Sequence, residues 1–235
     1  MLFHREVKIH AARCIALVAG LCVTAFACGA VTDVDPPLRL VRSWTLTAED
    51  LDAPGGAQAT HRLRLAMVMM REAGWSSGKI LDATKRAVRI LAQCGIRTTF
   101  VALGEFDGPA RYRYLATPAS RELAGRLRLE RPAVFFVADT LDRPAFDAEA
   151  VGRGNSRSRP EMADTVWITA GAHDIANVIA HELAHVLADS GAHADLPGNL
   201  MREDTAPEST SLTPNQCRRI TAIGTANGLL QAEKP

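Results

Sequence analysis

Apolar positions change their spacing several times along the chain, and each change marks an element. Leu63, Leu65, Met67 and Met69 recur every second residue, which predicts a strand with one buried face. The polar stretch Arg71–Lys79 (REAGWSSGK) predicts a turn, with Ser77 as the cap of the helix that follows. Ile80, Leu81, Thr84, Ala87, Val88 and Leu91 then fall at helical spacing, and Gly95 is expected to stop that helix. Ile96–Leu103 is β-branched and aromatic and reads as a second strand. Thr117-Pro118 opens a short helix running to about Leu129, since proline is favoured in a first turn. Ala133–Asp139 (AVFFVAD) is apolar throughout and so reads as a central strand. Ala148–Gly152 reads as a weak edge strand before an Arg/Ser/Gly loop at 153–160, and Thr165–Ala170 as another strand. Asp174 is placed to cap a helix from Ile175 to about Ser190, and Thr213-Pro214 starts a last helix with Cys217, Ile220 and Ile223 on one side. This order predicts one α+β or α/β domain over residues 61–235.

The first sixty residues follow other rules. Residues 1–13 carry Arg5, Lys8 and Arg13 against Glu6, and an apolar run follows from Cys14 to Ala27. As a helix that run would rise roughly 21 Å, short of the ~30 Å hydrocarbon layer, so a secretory signal over 1–27 is expected rather than a membrane span. Ala25-Phe26-Ala27 suits signal cleavage, and Cys28 directly after it suits lipid attachment in the manner of a bacterial lipoprotein. Residues 28–60, rich in Asp, Pro, Gly and Ala, read as a spacer or pro-like arm.

Composition adds constraints. The chain has 235 residues, 47% of them hydrophobic, which supports one domain with a true core and excludes wholesale disorder. A net charge of +1 leaves no basic footprint, so nucleic acid is not an expected partner. Loss of residues 1–27 removes Cys14 and Cys22 and leaves Cys28, Cys94 and Cys217. In an oxidising compartment Cys94 with Cys217 is the economical bridge, three free thiols being the alternative.

Candidate chemistry is concentrated in residues 181–201. His181, Glu182 and His185 form HELAH; residues four apart share one helical face, so both imidazoles can bind one Zn²⁺ ion while Glu182 stands beside them as a proton acceptor. His193 follows Gly191, which is expected to end the helix, and would complete three protein ligands with one coordination position open. Asp195 is the rival third ligand, and Glu203 on the downstream run is another. Asn199-Leu200-Met201 comes next, after Pro197-Gly198.

With these residues the sequence resembles the metzincin zinc peptidases, whose signature is HExxHxxGxxH followed by a tight turn containing methionine. The matching positions are His181, Glu182, His185, His193 and, for the Met-turn, Met201. The chain departs from the signature in having Ala188 at the glycine position and His193 two residues late, so the active-site helix is expected to run about half a turn further. No tyrosine follows Met201, where the run is Arg202-Glu203-Asp204. The resemblance implies a twisted, mostly parallel sheet with an antiparallel edge strand, an active-site helix, the Met-turn and a C-terminal helix. It implies an exported monomeric zinc peptidase acting on peptide or protein in a bacterial periplasm or envelope, or secreted, with Glu182 as general base and membrane contact only through Cys28. The alternative is a non-catalytic zinc-bearing surface lipoprotein.

Overall fold

The computed structural model describes residues 35–51, 59–141, 151–153, 160–203 and 206–233. The expected signal segment, Cys28 and most of the 153–160 loop lie outside the described residues. In chain order the elements are β1 (Arg39–Thr47), β2 (His61–Met70), α1 (Ser77–Ala92), β3 (Ile96–Asp107), β4 (Tyr114–Leu115), α2 (Thr117–Leu127), β5 (Ala133–Val137), β6 (Asp139–Thr140), β7 (Val151–Arg153), β8 (Thr165–Thr169), α3 (Ile175–Ala188), α4 (Pro214–Ala226) and β9 (Leu230–Ala232).

The main sheet runs β1-β3-β2-β5-β8-β7. Its four inner strands are parallel, and β1 and β7 close the two edges antiparallel. Strand β9 pairs antiparallel with the first residues of β2, alongside the part that β5 leaves unpaired. This is the mostly parallel mixed sheet that the resemblance implies. A difference lies in residues 39–47, which form edge strand β1 although the reading placed them in a spacer. Trp44 and Leu46 pack against the core there, so the short apolar stretch within that Pro/Gly-rich segment is a strand.

The alternation in β2 divides the interior into two layers. Leu63, Leu65, Met67 and Met69 face α1, α3 and α4, whereas Ala66, Val68 and Met70 face α2. Each fully buried side chain of this kind stabilises the fold by about 1.5–3 kcal/mol relative to exposure. Strand β5 lies between β2 and β8 with every residue buried, as its unbroken apolar run predicted. On the α2 side Phe135 stacks on Trp167 with ring centroids 4.2 Å apart.

Helix α1 is capped by Ser76, whose hydroxyl accepts the Lys79 N–H, and not by the expected Ser77, which is the first helical residue. Gly95, at φ 70°, reverses the chain after α1 as expected. Next to it, Cys94 is joined by a disulfide to Cys217 in α4 across 123 residues of sequence. All but the first residue of helix α3 are buried, because α1 and α4 flank it and β7 and β8 underlie it. Gly224 lets α4 approach closely: a Cβ there would lie 2.9 Å from Leu230 Cδ1 and 3.3 Å from Leu187 Cδ2. Among the described residues no helix is long and apolar enough to cross a membrane.

Candidate metal centre

The cluster starts from helical geometry. His181 and His185 lie one turn apart on α3 and bring their Nε2 atoms to 2.9 Å of each other. His193 then approaches from the loop after the helix, its Nε2 3.2 Å from that of His185. The three imidazoles are the metal-competent group of the described residues, with ligand atoms all within 4.8 Å of one another. Neither Asp195 nor Glu203 belongs to it.

The loop that delivers His193 differs from the expected one. Helix α3 ends at Ala188, short of Ser190, and it is Asp189, left-handed at φ 44°, that stops it and not the expected Gly191. The helix therefore does not run further; the two extra residues before His193 lie in the turn at 189–192. Asp189 can occupy this conformation because a short polar side chain tolerates it better than a branched one. The return is then clamped where Ala194 N–H donates to Met201 O at 2.7 Å, which sets the residue after His193 against the methionine turn.

That turn is braced on both sides. Asn199 N–H donates to Leu196 O, Leu200 N–H to Ser211 O, and Met201 N–H to the Asn199 side-chain oxygen. Asn199, Leu200 and Met201 are all buried. The turn also supplies the carbonyl that orients the first imidazole, since His181 Nδ1 lies 2.7 Å from Leu200 O. His185 Nδ1 lies 2.6 Å from Ser190 O, in the turn that ends α3.

These two carbonyls settle the tautomers. A carbonyl only accepts, so each Nδ1 carries the proton and each Nε2 presents a lone pair. Burial holds His181 down at about 4 and also depresses His185, the backbone bonds opposing it only in part, so both rings are neutral near pH 7. Two lone pairs 2.9 Å apart repel unless a cation stands between the rings. Two of the three separations also suit one: Zn–N bonds of ~2.0–2.1 Å in a tetrahedron put nitrogens about 3.3 Å apart. His185 and His193 meet that spacing, and His185 and His181 are a few tenths closer. The residues present therefore fit a divalent metal with nitrogen ligands.

Glu182, directly after His181, is buried at 8% exposure. Among the described residues the other two histidines lie elsewhere: His61 begins β2, and His173 precedes α3. Asp174 occupies the cap position of α3, although its side chain makes no capping bond. Tyr112 is buried in a 3-10 turn against α2, Tyr114 is in β4, and Trp75 donates its indole N–H to Val137 O.

Sequence reasoning missed the supports of this site. Gln216 clasps Asn199, and Gln93 binds Thr210 O and the Leu212 N–H, holding the segment between the turn and α4. The only sequence signal was the Thr213-x-x-Gln216 spacing, which is a capping box in the structure.

Beside the histidines is a cavity of about 200 Å³ reached between α3 and α4, with His185, His193 and Arg219 in its wall.

Among solved structures, the fold is similar to metalloproteinase-II from Bacteroides fragilis, with a TM-score of 0.52 and 17% sequence identity. The match covers 72% of this chain and 55% of that one, so the chain spans about half the length of the structure it matches. No protein-family model and no curated protein matches the sequence.

Proposed function

We propose that the chain is a zinc-dependent peptidase of the metzincin type. The observation that carries the reading is the convergence of three imidazole Nε2 atoms, two of them with their Nδ1 protons committed to backbone carbonyls. The likeness of the fold to a metalloproteinase supports it.

His181, His185 and His193 would hold the ion, which supplies Lewis acidity to a peptide carbonyl and acidifies water. Leu200 O and Ser190 O keep two of these rings in the ligating tautomer. Glu182, next in sequence to His181, accepts the proton of the attacking water and returns it to the departing amine. Met201 contributes no proton; its turn presents the Leu200 carbonyl.

The substrate class is peptide or protein. The proposed setting is outside the cytoplasm, in a bacterial periplasm or envelope, with residues 1–27 as signal and Cys28 as a lipid anchor. The Cys94–Cys217 bridge supports an oxidising compartment.

The test is cleavage of a peptide library by the purified protein, with and without a chelator. Chelator-sensitive cleavage, restored by zinc, is expected, and Glu182→Ala should keep its zinc and lose turnover. A zinc-loaded protein that cleaves nothing would leave a non-catalytic metal protein instead, and an undiminished Glu182→Ala variant would refute the proton-transfer role.

A further inference from the structure

The cavity beside the histidines has an unusual charge pattern. Its wall includes His185 and His193 on one side and Gln216, Arg219 and Ile220 of α4 on the other, and no Asp or Glu lines it. Arg219 donates through Nε to Ala188 O at 3.4 Å, which ties the root of the guanidinium to the end of α3 at the cavity wall. Among the described residues it makes no ion pair with a carboxylate. Gln216 is committed to Asn199 and to the Thr213 N–H, so it contributes a fixed wall and little recognition. Arg219 is an exposed residue on the cavity wall, and an arginine fork without an anion can bind a carboxylate through two hydrogen bonds.

We propose that this cavity receives an acidic side chain of the substrate, with Arg219 as the group that selects it. At about 200 Å³ the space holds one side chain and no backbone. Because the walls include two of the three clustered histidines, that side chain belongs to a residue directly flanking the cleaved bond. A dication held by those histidines adds to the positive field in the cavity, so an aspartate or glutamate gains twice and a lysine or arginine is repelled. The proposal rests on the peptidase reading for its setting.

The test compares zinc-loaded protein and its Arg219→Ala and Arg219→Glu variants on peptides that differ only by Glu, Gln, Leu or Lys beside the cleaved bond. Wild-type protein is expected to favour Glu over Gln by roughly tenfold or more in kcat/KM, the range of a hydrogen bond to a charged group. Arg219→Ala should erase that ratio through a loss of roughly tenfold or more on the Glu peptide relative to the Gln peptide, and Arg219→Glu should shift preference to Lys. Cleavage with a Leu preference, or a Glu preference that survives Arg219→Ala, overturns the proposal and leaves the peptidase reading intact. The same fluorescent Glu and Gln peptides are titrated onto zinc-loaded Glu182→Ala protein by anisotropy, which needs no turnover. An Arg219-dependent Glu preference in binding, with no cleavage by wild type, keeps the acid receptor and removes the peptidase; equal binding removes the receptor.

Discussion

Asn199 and Gln216 exchange two hydrogen bonds through their side-chain amides, Asn199 Nδ2 donating to Gln216 Oε1 at 3.0 Å and Gln216 Nε2 donating to Asn199 Oδ1 at 2.9 Å. The same two oxygens accept the Met201 and Thr213 N–H groups. The methionine turn is thereby fastened to the first turn of α4, and Leu200, between the two turn residues, offers its carbonyl to His181. A surface helix cap and the His181 imidazole are thus three hydrogen-bonded links apart.

Gln216→Ala removes both the capping box and the clasp, and should cost about 1–2 kcal/mol in urea denaturation. It should also weaken zinc binding by about tenfold in a chelator competition, the scale of a lost outer support. Gln216→Glu restores the cap but not the donor to Asn199. It should recover most of the stability while zinc affinity stays reduced; equal recovery of both would separate the clasp from the metal site.

The third ligand can be read from metal content. His193→Ala should lose zinc on dialysis, whereas Asp195→Ala and Glu203→Ala should retain it, since neither carboxylate joins the imidazole cluster. Retention by His193→Ala alongside loss by either carboxylate variant would reassign the site.

Asp189 ends α3 at φ 44°, a conformation that glycine adopts without a Cβ penalty. Asp189→Gly should therefore raise stability by up to about 1 kcal/mol, and Asp189→Val should lower it by about 1 kcal/mol or more. Thermal melts of the two variants should move in opposite directions.

Replacing Cys94 and Cys217 together by alanine frees a loop of more than a hundred residues, closed in the native chain by the disulfide. The expected loss is about 2–5 kcal/mol, read from urea midpoints with and without reductant. Reductant should lower the midpoint of the native protein and leave that of the double variant unchanged.

The metal-free protein should lose stability in acid. Folded His181 is held at about 4 by burial, below the ~6.5 of an unfolded histidine, and His185 is depressed for the same cause. Between those values the unfolded chain binds more protons, so this contribution is complete above ~6.5 and falls away as pH drops toward about 4. Urea midpoints of metal-free protein should decline over that window, and His181→Gln should flatten the decline.

Much of the fold was legible because short-range patterns carried it. The two-residue period of Leu63–Met69, the helical spacing of Ile80–Leu91 and the unbroken apolar run of Ala133–Val137 each placed an element and its buried face. Edge strand β1 was less visible: its alternation is short, set among Pro and Gly, and pays off only when β3 lies beside it. The end of α3 misled for a related reason, since Gly191 is the better left-handed residue in isolation but Asp189 is where the helix meets its boundary.

The sequence by itself determined the pair His181 and His185 with Glu182, because a helix of fixed pitch places residues four apart on one face. It also marked Cys94, Cys217, His193 and Met201 as candidates. Tertiary structure decided which of His193, Asp195 and Glu203 joins the pair, because that depends on how a non-periodic loop turns at Asp189 and is clamped by Ala194 against Met201. It alone also set Leu200 O and Ser190 O against the rings, and brought Gln216 and Arg219 of α4 to the site. Backbone carbonyls carry no sequence signature, and contacts between residues far apart in the chain are specified by packing, not by local spacing.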